Sequence, residues 1–293
     1  IFIVFFIMDF TPGDSARMIL GERATQEQRE MFRRNAGLDR PFIVRYARYV
    51  RDVVFRLDFG LSYRTRTPVI GEIIDKLPNT VLLALSGAFF SSLIGVAVGV
   101  ISAVKQHSRV DAISTFAAMF FASIPNFWLG MTLLLIFALH FRALPSTGAA
   151  TWKHFIMPTA AIALPTSAEI LRLTRSMMLE TINQDYVVTA RAKGVSEDLI
   201  IIKHALKNAM LPLITSLGVT FGTLLGGAVI TETVFSIPGL GTHIINAIRM
   251  KDTPIVLAST VVLASFFSLI MLIVDISYAF IDPRIRARYT SQG

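Results

Sequence analysis

The sequence predicts an all-α, polytopic membrane protein with six transmembrane helices, the first of them partial, and a small helical insert outside the membrane. Three observations carry that prediction. Of the 293 residues, 53% are hydrophobic and only 16% charged, against about 25% charged in an ordinary soluble domain, and the mean hydropathy is +0.60. The apolar residues gather into charge-free runs long enough to cross roughly 30 Å of hydrocarbon as helices. A single long polar segment, residues 11–76, interrupts them. This composition excludes a cytosolic enzyme, and the lack of cysteine excludes disulfides, thiolate metal sites and cysteine nucleophiles. The net charge of +8 raises nucleic acid as a partner, but in an apolar chain basic residues flank membrane spans.

The chain opens on IFIVFFIMDF, apolar up to Asp9. Eight apolar residues do not cross a bilayer, so residues 1–10 read as the end of a first span whose earlier part is missing. The rival, a cleaved signal peptide, has no basic n-region or small-residue cleavage site behind it. Runs 77–104, 112–141, 208–231 and 253–274 contain no Asp, Glu, Lys or Arg and supply the second, third, fifth and sixth spans. The fourth starts with the 15 uncharged residues between Lys153 and Glu169. It continues through Leu171, Leu173 and Met177 toward Leu179, with Arg172 and Arg175 snorkelling at one end. Residues 77–281 thus form the membrane core and 282–293 a tail.

Orientation follows from the short connections. The 105–110 turn, the 172–207 connection and the 282–293 tail share one side and hold eleven Lys and Arg, including Arg284, Arg286 and Arg288. The opposite connections hold four, Arg142, Lys153, Arg249 and Lys251. The richer side is expected to be cytoplasmic, with both termini on it. The 11–76 insert, with 13 basic and 9 acidic residues, then lies outside. Within it, Thr25 and Gln28 have capping-box spacing, Gly37 suits a helix stop, and Pro41 suits a helix start. Ile43, Tyr46, Val50, Val53 and Leu57 recur at helical spacing while Arg45, Arg48, Arg51 and Arg56 fall largely off that stripe. The helix is expected to pack on its own bundle with a solvated basic side; lying on the membrane or docking a partner is the sharper alternative. Small residues at every fourth position, Gly87, Ser91, Gly95, Gly99 and Ala103 in the second span and Gly218, Gly222 and Gly226 in the fifth, are expected to make helix-packing faces within the chain, with contact to a second membrane subunit as the alternative.

The most informative stretch is RLTRSMMLETINQDYVVTARAKGVSEDLIIIKHALKNAMLPL, residues 172–213. It is far longer than two neighbouring spans need. Asp185 to Lys193 is helix-compatible, Gly194 sits at a left-handed stop, and Ser196 can cap a second helix led by Glu197 and Asp198. A helix–glycine–helix elbow fits a partner's groove; a re-entrant hairpin packed on its own bundle fits the pattern as well.

YVVTARAKGV, followed ten residues after its glycine by HALKNAMLP, resembles the cytoplasmic coupling loop of binding-protein-dependent ABC importer permeases, and within them the dipeptide, oligopeptide and nickel branch. TPGDSARMILGE, LDFGLSYRTRTPV, ETVFSIPGLG and DPRIRAR resemble that branch too, in the same order along the chain. The resemblance implies a type I importer permease core with a coupling loop over 181–208, carried by Asp185, Tyr186, Thr189, Ala190, Arg191, Ala192, Lys193, Gly194, His204 and Asn208. Arg191 and Lys193 become candidates for charged contacts with an ATPase, and Tyr186 for an apolar anchor. The general pattern's Glu-Ala-Ala triplet falls on Val188, Thr189 and Ala190, of which only Ala190 matches, so a salt bridge from that glutamate is not available here. Its Ile-x-Leu-Pro element falls on His204, Ala205, Leu206 and Lys207, where only Leu206 matches.

The resemblance further implies a second, homologous permease, two cytoplasmic ATPase subunits holding the ATP and magnesium, an outer substrate-binding protein, and a bacterial inner-membrane location. The chain has no G-x-x-x-x-G-K-[ST] phosphate loop, and no cofactor, metal or catalysis is expected of it. Residues 11–76 and the FSIPGLG turn are the expected docking surface. Peptides are the expected substrate and nickel or a metal chelate the runner-up. A secondary transporter would want intramembrane carboxylates; Glu169, Glu232 and Asp275 lie only at the edges of apolar runs.

Overall fold

A computed structural model describes residues 1–11 and 13–281. Every regular element among them is helical: α1 (Phe2–Phe10), α2 (Ser15–Leu20), α3 (Gln26–Asn35), α4 (Phe42–Arg56), α5 (Val69–Val104), α6 (Arg109–Ser123), α7 (Asn126–Leu133), α8 (Lys153–Ile182), α9 (Asp185–Ala192), α10 (Glu197–Leu199), α11 (Lys207–Val234), α12 (Leu240–Arg249) and α13 (Thr253–Ile281). Two stretches widen into π-helix, Leu134–His140 and Ile200–Leu206. The expected tail, 282–293, with Arg284, Arg286 and Arg288, lies outside the described residues.

Val69–Val104 and Thr253–Ser277 are long and apolar enough to cross a membrane as they stand. Arg109–Ser123 with Asn126–His140, and Glu197–Met210 with Pro212–Gly226, reach that length only as pairs, bent by 97° and 56°. The third expected span is therefore not one helix. Pro125 has no N–H to donate and disfavours helical backbone in the residue before it, so Ile124 is extended (φ −89°, ψ 123°) and α6 stops at Ser123. The second span begins eight residues before the apolar run, because Glu72, Asp75 and Lys76 end the run without ending the helix. Val69 and Ile73 are fully buried on its inner side.

The chain divides into two compact units, Ile1–Thr80 with Pro238–Phe266, and Val81–Ile237 with the chain from Phe267 on. The second unit is built on a seam between α5 and α8. A Cβ at Gly87 would fall 2.5 Å from Ile162, one at Gly95 2.6 Å from Ile170, and one at Gly99 2.7 Å from Thr174 and 2.8 Å from the Leu171 carbonyl. Ser86 and Thr159 hydroxyls meet at 2.8 Å between the same helices. On α11, a Cβ at Gly218 would lie 2.7 Å from Val274 and one at Gly222 2.2 Å from Phe267, whereas Gly226 faces open space.

In the first unit, Phe5 of α1 meets Phe42 and Tyr46 edge-on at 5.4 and 5.6 Å and Tyr49 at 6.1 Å, and Asp9 pairs with Arg45. The buried face of α4 is therefore Phe42, Tyr46, Tyr49 and Val53, spaced for one side of a helix. The expected stripe is rotated: Ile43 and Leu57 are 65% and 75% exposed, because the aromatic residues of α1 choose the face. The Thr25–Gln28 capping box forms. Gly37 (φ 66°) closes α3 with Leu38 N–H donating to Arg33 O and Gly37 N–H to Arg34 O, at 2.8 and 3.0 Å, the paired bonds of a Schellman stop. Asp14 caps α2 through Ala16 N–H and pairs with Arg33 at 2.6 Å. Partial burial pushes its carboxyl upward, but those bonds win and hold it below its usual range.

Residues far apart in sequence meet at Lys251 and Asp252, both buried. Asp252 accepts from the Ser62 hydroxyl at 2.5 Å and from the N–H groups of Tyr63 and Arg64 at 3.0 and 3.2 Å. Lys251 donates to the carbonyls of Thr11 and Gly13. Below them Met8, Val69, Ile73, Leu240, Ala247, Ile255 and Val256 form the apolar core, and Leu240 N–H donates to Thr80 at 2.7 Å. Replacing Asp252 with Ala takes the acceptor from the Ser62 hydroxyl and the Tyr63 N–H, while the Arg64 N–H keeps only the Ser62 oxygen, a cost of about 3 kcal/mol. Asp252→Ala is expected to lower the melting temperature of the purified protein and to expose the 57–66 loop to proteolysis, with Asp252→Asn intermediate.

Candidate functional site

The 181–208 stretch folds as an elbow. After α8, Thr181 to Gln184 make a turn and α9 starts with Asp185 in its first turn. It ends at Lys193, and Gly194 (φ 75°) takes the left-handed stop. Gly194 N–H donates to Arg191 O at 2.9 Å and Val195 N–H to Ala190 O at 3.3 Å, the same Schellman pair that ends α3. The apolar contact that accompanies such a stop is present: Val187, Ala190 and Ile200 form a buried cluster with Val195 against it. α9 thus folds back on the start of the next helical stretch through one small core.

That packing sorts the ten expected coupling residues by direction. Asp185, Tyr186, Thr189, Arg191, Ala192, Lys193 and Gly194 are exposed, as is Val188, while Ala190 faces inward. Thr189 donates to Asp185 O at 2.9 Å, and Asn208 to His204 O at 2.7 Å, so both side chains brace their own helices. His204 is half-buried in the π-helical stretch. Arg191, read as a contact for a partner, is bound within the elbow: Nε and Nη2 donate to the two Glu197 oxygens at 2.7 and 3.3 Å. That hydrogen bond raises the guanidinium's pKa and ties α9 to α10 across the glycine. Ser196 stands at the N-cap of α10 but makes no cap bond through its side chain. Tyr186, Val188 and Lys193, with Asp185 and Ala192, remain outward.

Two other sites are more enclosed than their sequence suggests. In the FSIPGLG turn Phe235 and Ile237 are buried, Ile237 N–H donating back to Glu232 O at 2.8 Å, so Ser236 and Pro238 are the parts of 235–238 at the surface. Glu232, at the edge of its apolar run, is wholly buried. Sequence reading also passed over Asp111. It receives a bidentate ion pair from Arg175, at 2.7 and 2.9 Å, so Arg175 is a bound residue and not a snorkelling cation. The available signal was an Asp in the first turn after a Ser cap, opposite an Arg in the polar end of the fourth span.

Residues 95–287 match the family described as the binding-protein-dependent transport system inner membrane component, and residues 1–84 match the N-terminal region of such membrane components. The chain belongs to this family. It is homologous to the glutathione transport system permease protein GsiC of Escherichia coli strain K12, at 38% identity over 284 residues, 97% of this chain and 92% of the relative. The GsiC protein of Shigella boydii serotype 4 matches with the same identity and coverage. Among solved structures, an inward-facing form of the MetNI methionine ABC transporter superposes with a TM-score of 0.62 at 20% identity, covering 73% of this chain and 97% of that one. An amino acid ABC transporter gives a TM-score of 0.50 at 17% identity, with 73% and 94% covered. These two share the fold, that of an ABC transporter permease.

In this permease the elbow's shape depends on Gly194. Among the described residues nothing lies within 4 Å of a Cβ there, so a side chain meets strain and no clash with them. A β-branched residue held at that φ costs on the order of 1–3 kcal/mol, while Asn visits the left-handed region readily. Gly194→Val is expected to loosen α9, seen as faster hydrogen exchange over 185–200, and to lower transport without loss of the folded protein; Gly194→Asn is expected to stay near wild type in both.

Proposed function

We propose that this permease is one of two homologous membrane subunits of an ATP-driven importer of short peptides in a bacterial cytoplasmic membrane. The homology to glutathione permeases over nearly the whole chain carries the reading, since glutathione is itself a short peptide. In this reading the elbow faces the cytoplasm, where Tyr186, Val188 and Lys193 meet an ATPase subunit and the Arg191–Glu197 pair keeps α9 and α10 moving together. The ATPase pair holds ATP and magnesium and performs the hydrolysis; the permease contributes the pathway and no catalytic group. Residues 11–76, with the 238–252 segment that packs in the same unit, face outward and receive a binding protein loaded with peptide. ATP-driven closure of the ATPases shifts the elbow, and α8 and α11, which flank it in the chain, carry that shift into the membrane.

The test is uptake by proteoliposomes holding both permeases, the ATPases and the binding protein. Labelled di- and tripeptides, glutathione included, are expected to accumulate only with ATP inside, and a proton uncoupler is expected to leave the rate unchanged. Uptake that collapses with the uncoupler, or that is specific for nickel, overturns the reading. Orientation has its own check: a reporter active only outside the cytoplasm is expected to be active when fused after residue 66 and silent when fused after residue 196.

A further inference from the structure

Asp111 is a fully used carboxylate outside the elbow. Its side chain is only 9% exposed. Oδ1 accepts from Arg175 Nε at 2.7 Å and from the Ser102 hydroxyl at 2.6 Å. Oδ2 accepts from Arg175 Nη2 at 2.9 Å and from the His107 N–H at 3.0 Å. A carboxylate has about four acceptor sites, and all four are filled, from α5, from the α5–α6 turn and from α8. A buried ion pair is weak evidence of added stability, since apolar residues of similar volume often serve as well. What the fork of two parallel bonds adds is a fixed angle between the elements it joins.

The place of the clamp gives that angle a use. It closes the α5–α8 seam: Gly99 presses on Thr174, the residue before Arg175, and Ser102 follows on α5. From Arg175 to the end of α8 at Ile182 is about 10 Å of helix, and the elbow begins at Asp185. Just past the clamp, Ala103 of α5, Met178 of α8, Ala205 of the π-helical stretch and Ala209 of α11 share one buried cluster. The far arm of the elbow thus rests on the same α5 and α8 ends that Asp111 and Arg175 lock together.

We propose that Asp111 and Arg175 are positioning residues for energy coupling, clamping the ends of α5, α6 and α8 into one body so that displacement of the elbow turns the bundle instead of bending α8 alone. This rests on the importer reading above. Lys at position 175 keeps the charge and loses the fork. In the reconstituted complex, Arg175→Lys is expected to assemble in normal amount and to keep the ATPase response to loaded binding protein. Its ATP hydrolysed per peptide imported should rise by about threefold or more, the range of residues that modulate coupling without touching a ligand. The double variant Asp111→Asn with Arg175→Gln removes both charges together and leaves no buried ion alone; it is expected to fold and to show the same raised ratio. A wild-type ratio in either assembled variant overturns the proposal, because a clamp needed only for folding would leave that ratio untouched. If the wild-type complex itself shows no ATPase response to loaded binding protein, the importer reading fails instead, and the two failures are distinct.

Discussion

Apolar helices in a lipid environment gain nothing from hiding apolar surface against each other, so their association depends on close packing. In this permease that constraint falls on the α5–α8 seam. Gly87, Gly95 and Gly99 bring α5 near enough to α8 that a single methyl group would collide with Ile162, Ile170 or Thr174. The seam sets the line of α8, and α8 leads directly into the elbow that carries the proposed contact with an ATPase. Gly218 and Gly222 do the same for α11 against the 267–274 stretch of α13, while among the described residues nothing lies within 4 Å of a Cβ at Gly226.

The second constraint is that charge in an apolar chain must be caught. Asp252, Lys251 and Asp111 are each buried, and each is matched by donors or acceptors that include at least one from a distant segment. These are where the chain cross-links itself without covalent bonds. Asp252 gathers the Ser62 hydroxyl and the N–H groups of Tyr63 and Arg64, Lys251 the carbonyls of Thr11 and Gly13, and Asp111 three helical elements. A buried charge left alone costs more than the pair gains, so the arrangement is stable only complete.

The elbow shows how far local grammar reaches. Gly194 is legible in sequence as a left-handed stop because the physics of that stop is local: two backbone bonds and a residue without a Cβ penalty. The inward turn of Ala190 and the capture of Arg191 by Glu197 were not legible. Both depend on where Val195 and Ile200 come to lie, and that is decided by the fold-back. The α4 helix teaches the same lesson. Its period was readable, but the side it buries was chosen by Phe5 from another helix.

By itself the sequence determined the helical membrane character, the approximate runs, the capping box at Thr25, the stops at Gly37 and Gly194, and the permease family. All of these follow from composition, short spacings or ordered motifs, which are properties of a linear chain. Tertiary structure alone decided the burial of Phe235 and Glu232, and the joining of Asp111 to Arg175 and of Asp252 to Ser62. In each of these the outcome depends on a partner contributed by another element. Spacing along one segment records which face a helix has, and only packing settles what that face meets.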